Sequence, residues 1–310
     1  MAPKPPRAPV LRVQSRSSVS EEKQNAPLTL ADVIGHVAGQ AALRDAFQTI
    51  QNERSITIEG VWPGAMPLIV ASWTRLHPQP VLVIVSHFAE AESLESELTE
   101  LTDLPVAVFP PGSEDHELES LAQQETAQRL HVLSQLYKYN QANPPAAGTS
   151  RRSSGDTSRR PPIIVTTLPS IQQYVPSPNS LEGDKRIIEA GGTIDLNAMR
   201  AWLSKAGYHA TSSVQLPGEF AIRGGILDIY PPDEPSPIRV ELFDDLVESL
   251  RNFDVVTQRS TQSRQALHLL AATGSIQQDG CLVDYLPEDC LVVVYEPSNV
   301  QASAEAFLHR

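Results

Sequence analysis

A phosphate-binding loop needs a glycine-rich backbone, a lysine for the β- and γ-phosphates and a Ser or Thr for magnesium, placed between a strand and a helix. The strand Ile56-Thr57-Ile58-Glu59-Gly60, followed by Val61-Trp62-Pro63-Gly64-Ala65-Met66-Pro67, occupies the right position along the chain. It has no lysine, and no stretch of the chain reads Gly-Lys-Ser or Gly-Lys-Thr. Nucleotide binding is therefore not expected. Gly224-Gly225 makes no dinucleotide fingerprint, because Pro231-Pro232 follows where a helix would be required. Cys281 and Cys290 lie nine positions apart with no histidine at metal-ligand spacing, so they read as small buried hydrophobes in a reducing compartment. Asp244, Asp245 and Glu248 sit in turn-like, solvated surroundings, and none of the eight histidines pairs with Ser or Cys in a nucleophile motif. No catalytic, cofactor-binding or metal-ligating residue is expected.

The chemistry that remains is recognition. From Pro217 to Phe253 the chain reads as four short strands joined by tight turns. In Ile238-Arg239-Val240-Glu241-Leu242-Phe243, a period of two puts Ile238, Val240 and Leu242 on a core face and Arg239, Glu241 and Phe243 on the other. In Phe220-Ala221-Ile222-Arg223, Phe220 and Ile222 point inward and Arg223 outward. Arginine supplies forked donors and an aromatic supplies rigid apolar area, the pair of types enriched at interface hot spots. Periodicity alone leaves two readings open: a protein interface, or solvated arginines with Phe243 tucked under a loop.

Stepping N-terminally, Met1 to Pro27 lacks hydrophobic periodicity and reads as a disordered tail. Apolar residues from Leu28 through Ile50 follow a helical stripe that Gly35 and Gly39 weaken, with a break into two helices. Strands at Ser55–Glu59, Val81–Val85, Pro105–Phe109 and Ile163–Thr166 then alternate with helices at Leu68–Leu76, after a Ser86 cap, and at Glu119–Tyr139. This alternation predicts a parallel α/β layer over residues 28–190. The Arg-containing stretch 140–162 interrupts it as a flexible insertion, and direct DNA binding through Arg151–Arg160 is a minor alternative. Asp195 is placed to cap a helix that Gly207 stops, and with the strands that follow it forms a small α+β domain over 195–260. Residues 265–310 return to mixed apolar runs, with Leu291–Tyr295 read as one more buried parallel strand completing the first sheet.

The 310 residues have room for about two domains of ~150 residues. A net charge of −13 provides no general field for nucleic acid. No apolar run approaches the ~18 residues of a membrane span, and the N-terminus has no apolar core of a secretory signal, so a cytoplasmic protein without a membrane is expected.

Gly207-Tyr208, PGEF at Pro217–Phe220, RGGILDIYP at Arg223–Pro231, IRVELFDD at Ile238–Asp245 and VESLRNFDVVTQRS at Val247–Ser260 resemble the bacterial transcription-repair coupling factors (Mfd), in their N-terminal UvrB-like module. LVDYLPEDCLVVVYEP at Leu282–Pro297 is similar to the family's segment after its inserted domain. The missing lysine favours this family over UvrB itself, while Pro110–Glu117 departs from it in lacking a Trp-Glu pair. The resemblance implies a degenerate helicase-like α/β layer, equivalent to UvrB domains 1a and 1b, with an inserted domain 2-like unit that binds UvrA. It carries the family's UvrA-contacting positions onto Arg223, Arg239 and Phe243. It further implies that RNA-polymerase binding, DNA contact and ATP-driven translocation belong to domains absent from this chain, a truncated or fragmentary product with no cofactor of its own. The function expected is UvrA recruitment in transcription-coupled nucleotide excision repair, with an ATP-dependent translocase or helicase as the alternative. The inserted unit holds six Arg/Lys against ten Asp/Glu, so its arginines would act as local anchors. Arg239→Ala and Phe243→Ala are each expected to weaken UvrA binding with the fold intact.

Overall fold

Runs rich in Val, Ile and Leu belong inside a parallel sheet covered on both faces, and Val81–Val85 and Ile163–Thr167 lie there in the computed structural model, which describes residues 10–12, 29–112, 119–144, 160–183, 185–271 and 278–308. The chain opens with β1 (Val10–Arg12), α1 (Leu30–Ala38), α2 (Ala41–Glu53), β2 (Thr57–Glu59) and α3 (Met66–Leu76). It continues through β3 (Val81–Val85), α4 (Phe88–Leu101), β4 (Val106–Phe109), α5 (Glu119–Ala142) and β5 (Ile163–Thr167). Strands β3, β4 and β5, with the later strand Leu291–Val294 beside β3, make a four-stranded parallel sheet.

Alternation along β3 divides the side chains between two cores. Val81, Val83 and Val85 pack with Leu43, Phe47, Val70, Trp73, Leu94 and Leu98 of α2, α3 and α4. Leu82 and Ile84 face Leu130, Leu133 and Leu136 of α5 on the other side. Each such aliphatic contributes about 1.5–3 kcal/mol by leaving water, so the alternation itself fixes the layer.

Three details depart from the sequence reading. Val10–Arg12, within the stretch read as a tail, pairs parallel with β2. Consequently β2 stands outside the four-stranded sheet, and the would-be phosphate loop after it is a 3-10 turn, Pro63–Ala65, leading into α3. Ser86 does not cap α4; the cap position is His87, and the Ser86 N–H and hydroxyl instead donate to the Glu90 carboxylate at 3.1 and 2.9 Å. The break between the first two helices falls at Gly39, where α1 ends. Most of the 140–162 insertion, including Arg151, lies outside the described residues, as do 113–117 of the Pro110–Glu117 loop.

After α6 (Leu168–Gln172), α7 (Pro178–Gly183) and β6 (Arg186–Glu189), the chain enters α8 (Leu196–Lys205). The Asp195 carboxylate accepts from the Asn197 and Ala198 N–H groups, and Gly207, with φ +84°, takes the left-handed turn that ends the helix. Strands β7 (His209–Ala210), β8 (Glu219–Arg223), β9 (Ile226–Ile229), β10 (Ile238–Phe243), β11 (Leu246–Phe253) and β12 (Ser260–Arg264) form a six-stranded sheet in sequential order. Only the short β7–β8 pair is parallel. Its core face, with Phe220, Leu227, Ile229, Ile238, Val240, Val247 and Leu250, is buried in one cluster with Met199 and Leu203 of α8. β13 (Ala266–Leu269) pairs with β6, then β14 (Leu291–Val294) and α9 (Pro297–Leu308) complete the α/β layer. β14 is parallel as expected but not buried, since it lies at the edge of the sheet with Val292 and Val294 exposed.

A polar latch ties this sheet to α5. Buried Asp233 accepts from the Ser134 hydroxyl and from Lys138 Nζ, both at 3.1 Å, and its carbonyl lies 3.1 Å from His131 Nδ1. With Gln135 Nε2 at 2.8 Å from the other ring nitrogen, His131 is satisfied as a neutral Nδ1–H donor. Burial pushes its pKa down, in keeping with that state.

Candidate protein interface

The hairpin registers decide which side chains meet on the outward face. Arg223 pairs with Ile226 across the Gly224-Gly225 turn, so Ala221 pairs with Asp228. Asp228 in turn pairs with Arg239, and Arg239 with Arg251. Paired residues share a face, and steps of two keep to it. Ala221, Arg223, Ile226, Asp228, Arg239, Glu241, Ser249 and Arg251 therefore occupy one surface, with Phe243 and its partner Leu246 at the tip.

The three anticipated residues are brought together on this surface but do different things. Arg239 is not free. Its Nε donates to Asp228 Oδ1 at 2.7 Å and its Nη2 to Asp228 Oδ2 at 2.8 Å, a two-point fork on a carboxylate only 2% exposed. Nη1 donates to the Gln258 carbonyl at 3.3 Å, and the guanidinium lies 4.8 Å over the Phe253 ring. The Asp228 hydrogen bonds raise the Arg239 pKa above its ordinary value, and the side chain is 19% exposed. Arg239 thus lies on the face that the alternation assigns, with Asp228 drawing its side chain down onto the sheet. Arg223 reaches the same carboxylate only at 3.5 Å and is 56% exposed, keeping most of its donors for another acceptor. Phe243 is 70% exposed, and no loop among the described residues covers it.

Leu246 and Ile226, both exposed, extend the apolar surface around Phe243 at the ends of two neighbouring hairpins. The hairpins are held by backbone. Gly225 O accepts from the Leu242 N–H at 2.7 Å, and a Cβ on Gly225 would stand 2.6 Å from Leu242 O. Gly225→Ala must therefore push the two turns apart. A fall in thermal midpoint of about 4–8 °C per kcal/mol lost in a domain of this size is expected by calorimetry, with weakened recognition by the tip. On the other side, residues 191–194 tie the β10–β11 turn down through Gly191 N to Val247 O and Ile194 N to Asp245 O.

Asp228, Ile226, Leu246 and Arg251 were missed. The two-residue Gly-Gly turn would have predicted the Ala221–Asp228 pairing, and a lone aspartate inside Ile-Leu-Asp-Ile invites a search for its cation. Asp244, Asp245 and Glu248 are exposed, as expected, and Glu248 is the extra residue of a bulge on β11. Both cysteines are half-buried rather than fully buried, and burial pushes the Cys290 thiol up to about 12. Among the described residues there is no group of three or more His, Cys, Asp or Glu that could hold a metal, and no helix long and apolar enough to cross a membrane.

Residues 187–274, from β6 through β13, match the UvrB interaction domain. The chain is 28% identical over 193 residues to the transcription-repair-coupling factor of Bacillus subtilis (strain 168), covering 62% of the chain and 15% of that relative. It is 29% identical over 219 residues to that of Escherichia coli (strain K12), covering 67% and 16%. The corresponding protein of Haemophilus influenzae is 27% identical over 225 residues, covering 72% and 18%. The chain thus spans less than a fifth of the length of these relatives. With its mixed parallel and antiparallel sheets, it carries a UvrB interaction domain and is related to the transcription-repair-coupling factors.

Proposed function

We propose that the chain is a docking module that recruits UvrA in transcription-coupled nucleotide excision repair. The observation that carries this reading is Phe243, an aromatic 70% exposed at a rigid hairpin tip inside the matched UvrB interaction domain. An exposed phenylalanine held by two tight turns, with Arg223 on the same face, is an anchor already ordered before its partner arrives. Little conformational entropy is then lost on binding. The α/β layer serves as the frame, fastened to the sheet by the Asp233 latch. The module works without nucleotide, and RNA polymerase and DNA are engaged by other segments of a longer factor.

Titration of UvrA against the full chain tests this. Wild type is expected to bind. Arg223→Ala, which removes a half-exposed cation and leaves the Arg239–Asp228 fork in place, is expected to weaken binding by about 1 kcal/mol, roughly fivefold. Absence of UvrA binding, or ATP turnover by the chain itself, contradicts the reading.

A further inference from the structure

Two arginines directly opposite each other in a β-ladder repel, yet Arg239 and Arg251 are paired across β10 and β11. Asp228 neutralises Arg239 through two short hydrogen bonds. Arg251 receives much less. Its Nη2 lies 3.8 Å from Glu241 Oε2, beyond hydrogen-bond distance, and that same oxygen already accepts from the Ser249 hydroxyl at 2.6 Å. Arg251 is 45% exposed. Its situation mirrors that of Arg223, whose 3.5 Å contact falls on the Asp228 oxygen already taken by Arg239 Nη2.

Arginines therefore stand on three of the four strands β8 to β11 against the single buried carboxylate of Asp228 on β9, and the two guanidiniums left short of acceptors flank the satisfied one. Three strand spacings separate β8 from β11, so Arg223 and Arg251 stand roughly 15 Å apart, with Ile226, Phe243 and Leu246 toward the tip.

We propose that Arg251 is a further partner-binding residue, and that the surface received by this face presents carboxylates to Arg223 and Arg251 beside an apolar pocket for Phe243. The inference rests on the docking reading given above and adds the chemistry of the partner. A protein fits this pattern and a nucleic acid does not: Asp244, Asp245 and Glu248 are exposed beside the tip, where they would repel phosphates. A protein can pair Arg223 and Arg251 with carboxylates while keeping its own negative charge away from these three. Arginine serves here because its fork takes a carboxylate through two hydrogen bonds.

The test measures UvrA association and dissociation with the full chain over a range of salt. Arg251→Gln is expected to weaken binding about threefold to tenfold, mainly in the association rate, and to flatten the salt dependence. Arg251→Lys, which keeps the charge and the aliphatic stem, is expected to retain the salt dependence and fall between the two in affinity. Thermal midpoints of both variants should match wild type, since the 3.8 Å contact adds little. If Arg251→Gln binds as wild type with an unchanged salt slope while Phe243→Ala is impaired, this inference is wrong and the docking reading stands. If neither variant affects binding, the face is not the interface and both fail. Salt-sensitive binding of a short DNA duplex that Arg251→Gln abolishes, with UvrA binding intact, also overturns it.

Discussion

Arg239→Ala is expected to destabilise the six-stranded sheet by about 3–5 kcal/mol, the range found when one partner of a buried ion pair is removed. Asp228 is 2% exposed and would be left with the single 3.5 Å contact to Arg223. The Phe253 ring would also lose the guanidinium over its face. Against a total stability of about 5–15 kcal/mol, this is enough to populate unfolded chain at physiological temperature. Urea unfolding should show a lower midpoint with an unchanged slope. Arg239→Lys should fall in between, because an ammonium cannot reproduce the two-point geometry on Asp228. Replacing both partners by apolar residues, Asp228→Leu with Arg239→Met, should recover much of the loss, since no buried charge is then left unpaired. A wild-type midpoint for Arg239→Ala would show that the fork is not structural. Loss of binding in Arg239→Ala must accordingly be read through its stability, unlike the same result at Phe243.

How far the fold was legible follows from which physical signal each element leaves in the sequence. Val81–Val85 and Ile163–Thr167 are entirely buried, and a run rich in Val, Ile and Leu without charged residues is the direct consequence of cover on both faces. Asp195 and Gly207 could be placed because capping and the left-handed turn each demand a narrow set of residue types. The β1–β2 pairing was not legible, since Val10–Arg12 is too short for periodicity and a partner almost fifty residues away leaves no local trace. At the candidate site, period two assigned Arg223, Arg239 and Phe243 to the outward face, where their strands place them. It could not show that Arg239 is clamped. That depends on Asp228 lying opposite on the neighbouring strand, a fact of register between strands rather than of spacing within one. The missed residues share this cause: Arg251 and Leu246 gain meaning only once β11 is aligned with β10.

Phe243 is the other position where a large effect is expected. Its ring already faces water, so Phe243→Ala removes no core packing and should leave the unfolding midpoint unchanged. Recognition should suffer instead. Truncating a central aromatic anchor typically costs ~2 kcal/mol or more, about thirtyfold in Kd. The rate should change chiefly in dissociation, because the ring acts after encounter and carries no steering charge. Phe243→Leu should retain part of the affinity through its apolar area, while Phe243→Asp should abolish binding by placing a charge in a desolvated pocket.

The most direct measurement is therefore a calorimetric titration of UvrA into wild type and Phe243→Ala, with unfolding curves recorded on the same samples. Affinity lower by about thirtyfold at equal stability is the predicted result. Equal affinity for UvrA in the two proteins would contradict the account.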